Sequence, residues 1–75
     1  MRFVEMTGKQ LVSLIEEDEM DIDDLRKTGV SDECIVRINE QGDIELRRPD
    51  GWDVIGGLIG DFKTRITKNT GLTWA

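Results

Sequence analysis

The residues best suited to chemistry are carboxylates crowded into one short stretch. Such a run could bind a cation or supply a carboxylate pair for acid–base hydrolysis. Aligned as a calcium-binding EF-hand loop from Glu19, however, it places Asp24 where glycine is required and Val30 where glutamate is required. We therefore predict no metal site and expect a solvated surface, or one that steers a basic protein patch. The seven acidic residues of the run are Glu16, Glu17, Asp18, Glu19, Asp21, Asp23 and Asp24.

Other reactive side chains are scarce. The chain has no histidine and no tyrosine, and Cys34 is its single cysteine. One cysteine without imidazole ligands cannot build a four-ligand zinc site, and the commonest general base is missing. Cys34 begins a predicted strand and has no evident activating base, so we expect it to behave as a small apolar residue. We predict that the protein is not an enzyme and uses no cofactor.

Size and charge narrow the remaining classes. A chain of 75 residues with 37% hydrophobic content predicts a single small domain over residues 1–75. The net charge is −6, all of it contributed by residues 1–33, which makes nucleic acid an unlikely partner for that half. The longest apolar-leaning run, Val54 to Gly60, is far shorter than the roughly 20 residues of a membrane span. With a lone cysteine and no apolar leader, the expected location is cytoplasmic, with no membrane association.

Local signals predict two helices in the first half. Thr7 and Gln10 have the spacing of a capping box, which predicts a helix from Gly8 to Glu17. Asp21 is a candidate N-cap for a second helix from Ile22 to Thr28. A short strand from residue 2 to residue 6 precedes them in this interpretation.

A β-hairpin is predicted from Cys34 to Arg48. Apolar residues alternate with polar ones on both arms, and residues 39–42 have the composition of a type I turn closed by glycine. Arg37 and Glu45 are expected to pair across the outer face. The alternative is a third helix capped by Ser31 and running to about Glu40, which would give the element order of a winged helix. The predicted inner face is Val36, Ile38, Ile44 and Leu46.

The last third of the chain carries a helical spacing pattern. Five large apolar residues recur at intervals of three, four, three and four, which favours one stripe on a helix. We predict a long helix from Gly51 to about Asn69, capped by Asp50 and packed on the hairpin. The fold class is then α+β, with N-terminal helices, a central antiparallel hairpin and a long C-terminal helix. The stripe is Trp52, Ile55, Ile59, Phe62 and Ile66.

Three glycines beside this stripe suggest where a partner binds. Glycine is costly inside a helix, so a compensating close contact is expected there. The chain also has more apolar surface than one helix face can bury. We therefore predict a non-catalytic protein-interaction module, able to self-associate, that uses the glycine-flanked helix and the hairpin edge. The predicted partner-binding residues are Trp52, Gly56, Gly57, Leu58, Gly60 and Trp74.

A second interpretation rests on the same glycines. The segment Gly57-Leu58-Ile59-Gly60 has the G-x-x-G form of the KH nucleic-acid-binding loop, and a hairpin precedes it. Over about the last 40 residues the chain resembles the bacterial-type KH arrangement. That resemblance implies a single-stranded nucleic-acid-binding domain with its loop at Gly57–Gly60. The chain departs from the pattern at Leu58 and Ile59, where KH loops carry a basic residue, and at Asp61, which would repel a phosphate.

Overall fold

The computed structural model describes residues 2–16 and 18–74 and has an α+β fold. Four antiparallel strands form one sheet in the order β1-β2-β3-β4, so strands that are consecutive in the chain are also adjacent in the sheet. The elements are β1 (Phe3–Thr7), α1 (Gly8–Leu14), α2 (Ile22–Lys27), β2 (Ile35–Asn39), β3 (Asp43–Arg48), β4 (Gly51–Gly57) and α3 (Phe62–Thr70).

One face of the sheet, here called the inner face, forms the core. Side chains alternate along each strand, so every second residue of β1, β2 and β3 points into the protein. The helices contribute Leu11, Leu14, Leu25 and Ile66 from the other side. The sheet contributes Val4, Met6, Val36, Ile38, Ile44 and Leu46, each at most 4% exposed. The predicted inner face of the hairpin is thus confirmed.

The two helix caps predicted for the first half are confirmed, but both helices are shorter than predicted. The Thr7 hydroxyl accepts from the Gln10 backbone N–H at 3.2 Å, and the Gln10 side chain accepts from the Thr7 N–H at 3.0 Å. Asp21 caps α2 by accepting from the Asp23 N–H at 2.8 Å. Helix α1 ends earlier than predicted, at Leu14. Its predicted last residue, Glu17, lies outside the described residues.

The hairpin has the predicted register. Arg37 lies opposite Glu45, and Gly42 closes the turn at φ 91°, a left-handed conformation that glycine adopts without steric cost. The alternative helix from Ser31 to Glu40 is wrong, because Ile35–Asn39 pairs on both sides with neighbouring strands.

The prediction of a long C-terminal helix from Gly51 to about Asn69 is wrong. Residues Gly51–Gly57 form strand β4 against β3, and only Phe62–Thr70 is helical. Gly51 and Gly60 have φ values of 139° and 71°, which no α-helix interior contains. The β-branched and aromatic side chains of Trp52 to Ile55 suit a strand, and the unpaired edge of β3 satisfies their backbone hydrogen bonds. Asp50 consequently lies in the turn before β4, and Asp61 is the N-cap of α3.

The five-residue stripe is therefore split between three kinds of structure. Trp52 and Ile55 lie on β4, and Ile59 lies in the following loop with 63% of its surface exposed. Ile66 is fully buried, and α3 packs mainly on α1, with Phe62 beside the hairpin turn at Gly42. The N-terminal helix α1 in turn packs on β1 and β2. None of the helices in residues 2–16 and 18–74 has the length and apolar character that a membrane span requires.

Candidate functional site

The face of the sheet opposite the core is here called the outer face. It carries the alternate residues of all four strands, and helix α1 packs on the other side. Val54 is 62% exposed and Ile35 is 36% exposed, so large apolar groups remain in contact with solvent there. Side chains on the outer face include Phe3, Glu5, Ile35, Arg37, Glu45, Arg47, Trp52 and Val54.

The centre of the outer face is an arginine held by two aromatic rings. The Arg37 guanidinium lies 3.9 Å from the centroid of Phe3 and 4.2 Å from the centroid of Trp52. Glu45 accepts a hydrogen bond from the same guanidinium at 3.1 Å. Both distances to the rings are within the range in which a cation is attracted to an aromatic face. The three residues Phe3, Arg37 and Trp52 are called the arginine stack below.

Strand register explains how the arginine stack forms. Arg37 on β2 lies directly opposite Glu5 on β1 and Glu45 on β3. Of these two acidic residues, only Glu45 contacts the Arg37 guanidinium among the described residues. Trp52 pairs with Arg47 on the next row, close enough for its large ring to reach Arg37 diagonally.

Arg37 is substantially desolvated by these contacts. Its side chain is 23% exposed, and that of Glu45 is 13% exposed. The Nε atom of Arg37 is buried and has no hydrogen-bond partner among the described residues. A buried donor without a partner costs about 1–3 kcal/mol, so the stacking and the ion pair must offset that cost. The two rings and the Glu45 carboxylate together restrict the positions open to the Arg37 guanidinium.

The predicted partner-binding residues do not form one surface. Trp52 lies in the arginine stack, whereas Trp74 packs on α3 with its ring 6.5 Å from that of Phe62. Leu58 is 5% exposed and belongs to the core. The backbone of Gly56 is covered by Met20, whose Cε would lie 2.5 Å from a Cβ at that position. Gly57 ends β4 and Gly60 follows in the exposed loop.

The two elements predicted to bind a partner, a glycine-flanked helix and the hairpin edge, are not present in the structure as predicted. There is no glycine-flanked helix, because Gly56 and Gly57 are in a strand and Gly60 is in a loop. The hairpin has no exposed edge, because β1 and β4 pair with its two strands. Sequence reasoning missed Phe3 as part of the site. It did predict the Arg37–Glu45 pair. Pairing the first strand with the hairpin would have placed Phe3 on the outer face, but the sequence did not indicate which strand lies beside it.

A second polar cluster lies at the glycine loop. The Arg65 guanidinium donates to both carboxylate oxygens of Glu19, at 2.6 and 2.7 Å, and to the carbonyls of Leu14 and Ile59, at 2.6 and 2.8 Å. Glu19 also accepts from the Ile59 N–H at 2.9 Å. The hydrogen bonds from Arg65 lower the pKa of Glu19 to about 2, and the same contact raises the pKa of Arg65. This cluster ties the acidic run to the loop and to α3.

The geometry of this loop differs from the KH pattern. A strand, β4, precedes Gly57–Gly60, and residues 71–74 contain no strand. The Ile59 N–H is already bound by the Glu19 carboxylate. Glu16, Asp18 and Asp61 line the cavity beside it, so a phosphate would meet negative charge.

No protein-family model, curated protein or solved structure matches the chain. Function is therefore inferred from the chain's own geometry. Within residues 2–16 and 18–74, no group of three or more histidine, cysteine, aspartate or glutamate residues is arranged to hold a metal ion. Cys34 is half-buried and packs against the core.

Proposed function

We propose that this protein is a non-catalytic protein-interaction module that binds a protein partner through the outer face of its sheet. The observation that carries the proposal is the arginine stack at the centre of that face, with Val54 62% exposed beside it. Tryptophan and arginine are the residue types that most often dominate binding energy at protein interfaces.

The arrangement of the outer face supports this role. A preorganised group loses little side-chain entropy when a partner arrives, which favours affinity. Glu5 and Arg47 are exposed on different strands and supply charges of both signs around the arginine stack. Aromatic and arginine side chains inside a polar rim are typical of protein interfaces.

The proposal keeps only part of the predicted binding surface. Trp52 remains in it, and Leu58 is removed because it belongs to the core. The outer edge of β4 is a poorer candidate than the face, because a bulge interrupts its pairing register near Ile55 and Asp53 adds charge. Bulges and charges on an edge strand oppose the addition of another strand.

Site-specific photo-crosslinking tests the proposal. A photoreactive amino acid is placed at Val54, or at the exposed control position Lys9 on α1, in cells that naturally make the protein. We expect a discrete adduct from Val54 whose yield falls when Trp52 is also changed to Ala, and none from Lys9. The adduct's mass distinguishes a second copy from another protein. Equal adducts from both positions, or none from Val54, would contradict the proposal.

Binding of single-stranded nucleic acid at Gly57–Gly60 is the alternative. It predicts amide chemical-shift changes at Gly57 to Asp61 when short single-stranded RNA is titrated into labelled protein. We expect no such changes, because the Ile59 N–H is bound by Glu19 and carboxylates line the loop. Saturable shifts at that loop would favour the alternative over the interaction module.

A further inference from the structure

The C-terminal segment is the basic part of an acidic chain. Residues 62–74 contain two lysines and one arginine and no carboxylate side chain, a net charge of +3, so the other residues together carry −9. Arg65 is occupied by Glu19. Neither Lys63 nor Lys68 forms an ion pair within residues 2–16 and 18–74, and both are exposed.

These lysines border an open groove with an aromatic wall. The groove has a volume of about 450 Å³, and its lining residues are Lys63, Thr64, Thr67, Lys68 and Trp74. The Lys63 Nζ lies 5.8 Å from the centroid of the Trp74 ring. The nearby Glu40 carboxylate is bound by Arg2, whose hydrogen bonds are the main cause of its lowered pKa, and the charge of Lys63 contributes least. We call this groove, between the exposed side of α3 and Trp74, the Trp74 groove. Its chemistry suits an apolar side chain flanked by carboxylates.

The same chain displays such a segment at the start of α2. Ile22 is one of its exposed large apolar residues, with 36% of its surface accessible. Asp23 and Asp24 follow it in the first turn and are exposed. Asp24 has only a long contact of 3.9 Å with Lys27, and both side chains are more than three-quarters exposed, so this pair is weak.

We propose that the Trp74 groove of one copy binds the start of α2 of a second copy. Ile22 contacts the Trp74 ring, and Asp23 and Asp24 approach Lys63 and Lys68. Donor and acceptor surfaces differ, so the contact is head-to-tail and each added copy offers both surfaces again. The contact uses neither the arginine stack nor Val54, and does not depend on the function proposed for the outer face.

Sedimentation velocity over a concentration series tests this contact on the intact chain. The runs are made in about 0.01 M and about 1 M salt, where the Debye length is roughly 30 and 3 Å. We expect the average sedimentation coefficient to rise with protein concentration in low salt and to remain that of a monomer in high salt. A strict monomer in low salt would overturn the proposal.

A matched pair of substitutions localises the contact. Lys63→Glu and Lys9→Glu make the same charge change at the second residue of α3 and α1, and both lysines are exposed. We expect Lys63→Glu to weaken association in low salt at least about tenfold, which corresponds to about 1.4 kcal/mol, and Lys9→Glu to leave it unchanged. Equal weakening by the two variants would show only a net-charge effect and would overturn the assignment.

Charge exchange gives the most specific test. One variant carries Lys63→Glu and Lys68→Glu, and the other carries Asp23→Lys and Asp24→Lys; circular dichroism verifies that both are folded. We expect neither to associate alone, and a mixture to associate, because the unaltered groove of the second variant meets the unaltered α2 of the first. Association that persists in either variant alone, or no association in the mixture, would refute the contact. Association abolished by Trp52→Ala but not by Lys63→Glu would instead indicate the outer face.

Discussion

At the scale of single residues, the surroundings of Arg37 restrict what can replace it. Its planar guanidinium lies between the Phe3 and Trp52 rings and also donates to Glu45. A lysine ammonium keeps the charge but cannot stack as a plane against two rings. The role of Arg37 is therefore one of shape as much as charge.

Arg37→Lys is expected to lower the free energy of unfolding by about 1–2 kcal/mol, because two desolvated cation–π contacts are weakened. Arg47→Lys is the matched control, since Arg47 is exposed on the same face and forms no ion pair within the described residues. It should change stability by less than about 0.5 kcal/mol. Urea unfolding followed by circular dichroism measures both. Equal effects would mean that the arginine stack does not stabilise the sheet.

The contact between Glu19 and Arg65 is expected to make the protein less stable in acid. Its folded pKa of about 2 lies below its ordinary value of 4.5, chiefly because Arg65 donates to it. The stabilisation is therefore fully present above about pH 4.5 and is lost as pH falls towards 2, by an amount on the order of 3 kcal/mol. Urea unfolding at a series of pH values between about 6 and 2 measures the change.

Glu19→Gln should flatten that part of the pH profile and lower stability at neutral pH. Glu5→Gln is the control, because Glu5 is exposed and forms no ion pair within the described residues. It should leave the profile as in the wild type. If Glu19→Gln keeps the wild-type dependence on pH, the carboxylate–guanidinium contact does not contribute to stability.

At the scale of secondary-structure elements, α3 is short and has one fully buried residue, Ile66. Ile66 has no exposed surface, and α3 packs mainly on α1. Ile66→Ala should cost about 2–5 kcal/mol, because it removes core contacts and leaves a cavity. Ile59→Ala should cost less than about 0.5 kcal/mol, since Ile59 is 63% exposed. Thermal melts compare them, and similar costs would contradict the described boundary of α3.

The helical spacing around β4 shows why periodicity alone misassigned an element. Trp52, Ile55 and Ile59 satisfy a three-and-four rule, but Trp52 and Val54 also satisfy the alternation of a strand. Whether this segment became a helix or a strand depended on a neighbouring strand with free backbone groups. The outer edge of β3 offered hydrogen bonds over six residue pairs, whereas a helix through Gly56, Gly57 and Gly60 would lose roughly 1 kcal/mol at each glycine.

At the scale of the whole molecule, two candidate surfaces differ in chemistry. The outer face presents the arginine stack with charges of both signs, and the Trp74 groove presents two lysines beside an aromatic ring. An acidic run on the same chain complements the groove but not the outer face. Association through the groove should therefore depend on salt, and binding through the outer face should depend on it far less.

The two surfaces are expected to act independently. Val54→Asp adds a charge to the outer face and should reduce crosslinking from a probe at Ile35, while leaving salt-sensitive sedimentation unchanged. Lys63→Glu should have the opposite pattern of effects. If either substitution changes both measurements equally, one surface serves both roles.

Much of the local structure could be predicted from the sequence. The capping box at Thr7, the Asp21 cap and the hairpin alternation all agree with the structure. Each of these signals involves residues within a few positions of one another, so the energies that decide them are already present locally. The α+β class follows from those elements.

Only the tertiary structure decided the secondary structure of residues 51–57 and which side chains form the outer face. A segment with mixed helix and strand spacing becomes a strand when a neighbouring edge satisfies its backbone groups, and that edge exists only after β2 and β3 have paired. The arginine stack joins residues 3, 37 and 52, which are far apart in the chain and meet only through the register of four strands. Contacts of that kind are set by the sheet as a whole, so no local pattern could indicate that the Phe3 and Trp52 rings meet at Arg37.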